Sequence, residues 1–110
     1  METSQIIALI KTLRADDDAE HDMNLSMVQA LLLVYQHDGI SQRELSQLMD
    51  ITPPVLSRII ASLSPQVRRQ GKVVDGRNLI EQRQDEADWR RKTLHLTQKG
   101  KRLIEQLEAV

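Results

Sequence analysis

Two amphipathic segments, residues 40–49 and 53–63, are separated by only three residues, 50–52. In the second segment, four apolar residues from Leu56 to Leu63 stand at i, i+3, i+4 and i+7, the spacing of a helix with one buried face. A connection of three residues predicts that the two helices cross at a sharp angle. The outer side of the second helix carries small residues and one long cation, because the buried stripe turns those positions outward.

Both helices have start signals in the sequence. Ser41 and Glu44 have the spacing of a capping box, in which side chains bond to backbone N–H groups that lack a helical partner. Pro53 and Pro54 indicate the start of the second helix, because proline at the first helical position gives up an N–H that would be unpaired there anyway. Since the helical region is disfavoured for a residue before proline, Thr52 is the preferred cap and Pro53 the alternative one.

A helix, a tight turn and a second helix with Arg58 on its outer face form the arrangement that places a recognition helix in the major groove of DNA. Many all-helical proteins contain such a corner, so it does not establish DNA binding alone. Support comes from residues 79–97, where two strand-like segments flank a charged tip and predict a β-hairpin, or wing. We expect Trp89 at this tip to pack beneath the wing, with contact to DNA as the alternative.

Further helices are predicted before this corner. Residues 4–14 have a helical pattern of apolar residues, Asn24 can cap a second helix over 25–38, and Gly39 stands where a left-handed helix end is expected. The acidic stretch 15–22 is predicted to be a solvated linker without a metal site.

Together these elements predict a winged helix-turn-helix, mainly α with a small β-hairpin (α+β), in a single domain over residues 1–110. Residues 1–22 would form the N-terminal helix and acidic linker, and residues 24–97 the winged helix core. Residues 98–110 would form a C-terminal helix, which Thr97 can cap.

The formal net charge of −1 averages two unlike segments. Residues 1–57 carry 3 basic and 9 acidic side chains (−6), residues 58–102 carry 12 basic and 5 acidic ones (+7), and the tail adds −2. A strongly basic segment is typical of a protein that faces a polyanion, although solvated surface charge would give the same count.

Other classes of protein find little support. The chain has no cysteine, which excludes disulfides, thiolate zinc sites and thiol redox switches. Its longest apolar run, residues 30–35, is too short to span a bilayer, and no signal peptide is recognisable, so we expect a cytosolic protein without membrane contact. His21, His37 and His95 lie on different elements and no phosphate loop or metal spacing occurs, so neither enzymatic activity nor a cofactor or metal is expected.

These residues resemble the MarR-type family of winged-helix transcription regulators, named for multiple antibiotic resistance. The stretch DEADWRRKTLHLTQKG looks like the family's wing signature. ITPPVLSRIIASL is similar to its recognition helix, and NLSMVQALLLVYQHDGISQRELSQLMD to the two helices before it, so that the resemblance runs from about Asn24 to Lys101. The signature positions are Asp85, Asp88, Arg90, Leu96, Thr97 and Gly100.

The resemblance implies a homodimer that binds double-stranded DNA, with recognition helix 53–63 in the major groove and wing 79–97 near the minor groove. It also implies that Asp88 orients basic side chains and that Arg90 enters the minor groove, whose negative potential attracts arginine. The alternative for Arg90 is a surface salt bridge with Asp88 or Glu86.

In this interpretation, residues of the recognition helix read or flank base edges, and basic residues around it hold phosphates. The predicted DNA contacts are Gln42, Arg43, Thr52, Pro53, Pro54, Val55, Ser57, Arg58, Ser62, Arg68, Arg69, Lys72, Arg77, Asp88, Arg90, Arg91 and Lys92. The predicted dimer contacts belong to the first and last helices and are Ile6, Ile10, Leu13, Leu103, Ile104 and Leu107.

The sequence departs from the family's pattern in three places. An insertion, residues 64–78, precedes the wing, and its Asp-Gly pair at 75–76 predicts a two-residue hairpin turn; the insertion adds a strand pair, a second phosphate contact or a solvated loop. The paired prolines stand where the family places polar residues, and they offer only apolar contact to bases. The chain ends at Val110, so the family's last dimerisation helix is expected to be missing.

Protein binding is the alternative function. The acidic first half and the apolar first helix would suit a winged-helix adaptor that binds a polymerase or another regulator instead of DNA. The two functions differ in whether the basic residues form one continuous face and whether binding disappears with salt.

Overall fold

The computed structural model describes residues 1–15 and 23–110, and of residues 67–69 the backbone alone. The predicted acidic linker therefore lies outside the described residues, apart from Ala15. The described chain is mainly helical with small antiparallel hairpins, as predicted for a winged helix. Its helices are α1 (Thr3–Arg14), α2 (Leu25–Gln36), α3 (Gln42–Met49), α4 (Pro53–Leu63) and α5 (Gln98–Glu108), and its strands are β1 (Gln66–Arg69), β2 (Lys72–Asp75), β3 (Ile80–Gln84) and β4 (Lys92–Leu96).

The hydrophobic core lies where α2, α3, α4 and α5 meet the β3–β4 hairpin. The predicted stripe of α4 is confirmed, since its four apolar residues from Leu56 to Leu63 are all buried. Burial of each such aliphatic side chain contributes about 1.5–3 kcal/mol, so the stripe fixes which side of α4 stays exposed. The largest fully buried side chains are Leu31, Val34, Leu45, Leu56, Ile60, Leu63, Leu79, Ile80 and Leu94.

Three helices begin with the predicted side-chain caps. Asn24, Ser41 and Thr97 each accept a hydrogen bond from the backbone N–H three residues later, at 2.8, 3.1 and 3.0 Å. The predicted capping box of α3 forms in a modified way, because the Glu44 carboxylate accepts from the Ser41 hydroxyl at 2.9 Å. These short-range bonds account for the close agreement between the predicted and observed helix starts.

The paired prolines begin α4 as predicted, with Thr52 in the cap position. The Thr52 side chain, however, makes no capping hydrogen bond. Pro53 and Pro54 remove the N–H donors of the first two helical positions, and the Thr52 side chain does not bond the remaining N–H of Val55. The helix start depends on the fixed φ of proline rather than on a side-chain bond.

Two of the predicted dimer contacts pack inside this chain. Leu103 and Ile104 on α5 are 7% and 2% exposed and belong to the core of this chain. Leu107 and Leu13 are half-buried against the same core. The amphipathic stripe of α5 therefore closes the domain itself, which leaves α1 as the helix without a buried residue.

The insertion forms a strand pair whose turn lies elsewhere than predicted. Gln70 and Gly71 connect β1 to β2 with φ of 52° and 75°. A type I′ turn needs positive φ at both central residues, and the predicted Asp-Gly pair lies after β2 instead. Gly76 serves a close approach, because a Cβ there would lie 2.0 Å from the Ser64 carbonyl oxygen.

The insertion returns the chain to the end of α4 before the wing begins. Four successive backbone N–H groups, at residues 76–79, donate to the carbonyl oxygens of residues 62–65 at 2.8–3.3 Å. Arg77, one of the predicted DNA contacts, is only 3% exposed in this junction. The β1–β2 hairpin therefore begins and ends at the C-terminal end of α4, and the wing starts from there.

The wing is the antiparallel β3–β4 hairpin, paired over five residues of each strand. β4 is also bonded to the segment before α3: the Gly39 N–H donates to the Leu94 carbonyl at 2.9 Å, and the Leu94 N–H to the Ile40 carbonyl at 2.8 Å. Gly39 has a φ of 84°, the left-handed conformation predicted for it. These bonds hold the wing at a fixed position beside the helix-turn-helix.

Candidate nucleic-acid interface

An open cleft of about 970 Å³ lies between α3, the start of α4 and the wing. These elements converge because the turn between α3 and α4 is short and because β4 is bonded to the segment before α3. Every side chain that lines the cleft is polar or charged: Ser41, Gln42, Arg43, Glu44, Gln47, Ser57, Gln82, Asp88, Arg90, Arg91 and Lys92.

The structure brings many of the predicted DNA contacts together around this cleft. A shallower groove beside it, at the start of α4, is lined in part by Thr52, Pro53 and Val55. Arg43 lines both depressions and so joins them. The predicted contacts in the main cleft are Gln42, Arg43, Ser57, Asp88, Arg90, Arg91 and Lys92.

The exposed side of α4 consists of small or flexible residues. Val55 is 44% exposed, and Arg58 is exposed next to it. The Ser57 hydroxyl donates to Gln42 Oε1 at 3.3 Å, which ties α4 to α3. Ser62 is half-buried and donates to the Arg58 carbonyl at 3.1 Å, so its hydroxyl proton is already engaged.

An ion pair links α3 to the wing across the cleft. The Arg91 guanidinium is within hydrogen-bonding distance of the Glu44 carboxylate and 3.9 Å from that of Asp85. Because both side chains of the Glu44 pair are about half exposed, the pair contributes less than about 1 kcal/mol to stability. Its larger consequence is electrostatic, since the charge of Arg91 is already compensated in the free protein.

Arg90 has no ion-pair partner among the described residues, and the predicted alternative of a salt bridge with Asp88 or Glu86 does not form. Asp88 Oδ1 instead accepts a hydrogen bond from the Arg90 backbone N–H at 3.1 Å. The Arg90 guanidinium carbon lies over the Trp89 ring, 5.9 Å from its centroid, in a cation–π arrangement. The charge of Arg90 therefore remains available to an anionic partner.

Trp89 does not pack beneath the wing, and that prediction is wrong. Its side chain is 72% exposed at the tip. Its position in a turn rather than in an alternating strand could have indicated this, because residues of a turn have no inward face that the hairpin imposes.

Lys72 of the insertion does not line the cleft. The backbone register pairs Arg69 with Lys72 beside the turn, and Lys72 is exposed.

Within residues 1–15 and 23–110, the acidic and histidine side chains form no group suited to a metal ion. His95 is tied locally, with Nδ1 3.0 Å from Asp38 Oδ1 and Nε2 2.8 Å from Thr93 Oγ1. None of the described helices combines the length and apolar character needed to cross a membrane.

Comparison with known proteins gives results for structure only. No protein-family model matches the sequence, and no curated protein matches it either. Among solved structures, the S. aureus MepR–DNA complex is similar over 96% of this chain and 74% of its own, with 21% identity and a TM-score of 0.73. The Thermotoga maritima regulator Tm0710 is similar over 96% of this chain and 63% of its own, with 19% identity and a TM-score of 0.73.

A third structure, a MarR transcriptional regulator from Methanosarcina mazei Go1, has 23% identity and a TM-score of 0.68 and covers 94% of this chain. This chain covers 63% of that regulator's length. Across the three structures, the covered share of each solved chain is between 63% and 74%. The likeness in each case includes the helix-turn-helix and the wing, since it extends over nearly all of this chain. The chain therefore has the winged-helix fold of the MarR-type transcription regulators.

Proposed function

We propose that this chain is a MarR-type transcription regulator that binds double-stranded DNA. The observation that carries the proposal is the convergence of α3, the start of α4 and the wing on one polar cleft with Arg43, Arg90 and Lys92 in its lining. The fold shared with MepR in its DNA complex supports it.

In the proposed complex, α4 lies in the major groove, which is about 12 Å wide and admits a helix. Arg58, Ser57 and Val55 face the base edges, and the two prolines at the helix start offer apolar contact such as a thymine methyl group accepts. Reading by small residues and one arginine would give a short recognition sequence, with the wing adding contacts beside it.

Phosphate contacts set the position of the protein on the duplex. We assign them to Gln42 and Arg43 on α3 and to Lys92 on the wing, with Arg68, Arg69 and Lys72 of the insertion as further contacts. Arg90 enters the minor groove in this arrangement, because its charge has no ion-pair partner among the described residues and a narrow minor groove attracts arginine.

Replacing Arg58 or Arg90 by alanine is expected to weaken duplex binding by about 5- to 30-fold, equivalent to about 1–2 kcal/mol. The test is fluorescence anisotropy with a labelled pool of randomised duplexes at low salt. Arg102→Ala is the matched control, because Arg102 is exposed on α5 and does not line the cleft. Equal affinities of all four proteins would contradict the assigned orientation, provided that their thermal unfolding agrees.

Replacing Glu44 by glutamine is expected to strengthen duplex binding several-fold. The change removes a negative charge from the cleft and releases Arg91 from its ion pair, while the amide keeps the size of the side chain. Affinity and its salt dependence are measured on the same duplexes. Glu105→Gln on the exposed side of α5 is the control, and weaker binding of Glu44→Gln would place Glu44 among the positioning residues instead.

Binding to protein is the second candidate, and exposed apolar residues of α1 favour it. Ile6, Ile7 and Ile10 are 44%, 49% and 48% exposed on this helix. We assign this face to a homodimer, in which each protomer brings one recognition helix to the duplex. If the protein fails to bind DNA even at low salt, the same face becomes the docking surface of an adaptor.

A further inference from the structure

Trp89 is the single tryptophan of the chain, and its side chain is 72% exposed. Tryptophan gives the largest apolar contact area of any side chain when it is covered. Here it is held in solvent at the tip of the wing, next to Arg90 at the edge of the cleft. An exposed indole contributes binding free energy only when a partner buries it.

The exposure of Trp89 does not arise from a loose loop, because hydrogen bonds fix the tip on both sides. The side chains of Asp85 and Asp88 each accept a bond from the backbone N–H two residues later, at 2.8 and 3.1 Å. The Asp85 N–H donates to the Arg91 carbonyl at 2.9 Å. Gln84 Nε2 donates to the carbonyl of Trp89 itself at 2.6 Å.

The charges around the indole favour an anionic partner. Asp85 and Asp88 direct carboxylate oxygens at backbone N–H groups of the tip, and Asp85 also faces Arg91. Within the described part of the chain, Arg90 over the ring and Lys92 farther along the wing make no ion pair, and Glu86 is an exposed acid of the tip. An apolar ring that carries a cation without an ion-pair partner on one face is complementary to a surface that alternates sugar and phosphate.

We propose that Trp89 is a DNA-contact residue, which packs the open face of its indole against the deoxyriboses that form the wall of the minor groove. The opposite face holds the Arg90 guanidinium, which lies over the ring, and directs it toward the groove. This inference rests on the proposed function, and it gives a specific geometry to the contact with DNA that the sequence left open as the alternative for Trp89.

The geometry favours packing on the groove wall over insertion between base pairs. A side chain that wedges into the stack must present both of its faces to bases and kinks the duplex. One face of Trp89 is already covered by Arg90 at 5.9 Å from the ring centroid. Insertion would break this cation–π contact, whereas packing on the wall preserves it.

The test uses two independent signals on one sample. Anisotropy of a labelled duplex reports binding, and the emission of the only tryptophan reports the environment of the wing tip. We expect the duplex to quench the indole emission and to protect Trp89 from acrylamide. Trp89→Ala should weaken binding by about tenfold and Trp89→Phe by less, since phenylalanine keeps a smaller aromatic face.

Leu25→Ala is the matched control, because Leu25 is an apolar side chain that is 87% exposed at the start of α2, outside the cleft. A double-mutant cycle with Arg90→Ala tests the coupling, and we expect the double variant to lose less than the product of the two single losses. Thermal unfolding confirms that each variant is folded, which the exposed position of Trp89 favours.

Each outcome decides the proposal. If anisotropy rises while acrylamide still reaches Trp89 and Trp89→Ala binds like the unmodified chain, the proposal is overturned and the proposed function stands. If the duplex lengthens and unwinds as for an intercalated ring, packing on the groove wall is wrong. If no duplex binds at low salt, both the proposal and the proposed function fail.

Discussion

Raising the salt concentration from 50 to 200 mM is expected to weaken the binding to duplex DNA by about 10²- to 10³-fold for each bound protomer. Each phosphate contact releases a condensed counterion, so the logarithm of the affinity falls by about 0.9 per contact with the logarithm of salt. The cleft and α4 offer Arg43, Arg58, Arg90 and Lys92. With the cations of the insertion, about four to six contacts per chain give this loss.

The slope of this salt dependence identifies the contributing residues. Arg43→Ala and Lys92→Ala should each reduce it by about one, and Arg102→Ala on α5 should leave it unchanged. Arg91→Ala should have a smaller effect, because Arg91 is already paired with Glu44 in the free protein. An affinity that is flat with salt would contradict the electrostatic basis of the proposal and would favour the adaptor function.

The residues that the sequence predicts well are those governed by contacts within a few residues. The caps at Asn24, Ser41 and Thr97 each bond to a group three residues away, and the stripe of α4 repeats within two helical turns. Such features depend on local backbone geometry, which spacing in the sequence determines.

The errors arise where a distant segment decides the environment of a residue. Arg77 looks like one more cation of a basic loop, yet residues 76–79 bond back to the end of α4 and bury it. The Asp-Gly pair has the pattern of a hairpin turn. Gly76 lies instead against the Ser64 carbonyl, where a Cβ would not fit. Charge and turn patterns do not contain this information, because both contacts depend on where α4 ends in space.

The sequence predicts which basic residues line the cleft, but it does not predict which of them form ion pairs. The wing signature and α4 supply the basic residues, but the pairing of Arg91 with Glu44 spans 47 positions of sequence. It requires the wing to lie beside α3, which the bonds between β4 and residues 39–40 establish. Which cations remain available for phosphates is therefore a property of the fold.

Replacing Gly100 by alanine is expected to destabilise the domain by about 2–3 kcal/mol. In an ordinary helix interior the same change stabilises by roughly 0.5–1 kcal/mol, since alanine loses less backbone entropy than glycine. At this position a Cβ would lie 2.2 Å from the Leu79 carbonyl oxygen. The Leu79 carbonyl cannot move freely, because it accepts the Thr97 N–H at 3.0 Å.

The obstruction involves backbone on both sides. The Thr97 hydroxyl donates to the Asn78 carbonyl and accepts from the Gly100 N–H at 3.0 Å, so the start of α5 and the start of the wing are bonded together. Relief of the clash must separate these two elements. The Leu-Thr-x-x-Gly part of the wing signature thus has a structural reason, since the cap and the glycine act at one helix–strand contact.

The measurement is thermal and urea unfolding, where a loss of this size lowers Tm by roughly 10 °C or more in a domain of about 100 residues. Gly71→Ala is the control, because the same added methyl group meets no atom within 4 Å and only the φ of 75° opposes it. That strain costs about 1–2 kcal/mol, and Gly71→Asn should recover part of it, since asparagine tolerates the left-handed region. Unchanged or higher stability of Gly100→Ala would mean that α5 can move away from Leu79 without cost, and that the contact does not hold the wing to the helix.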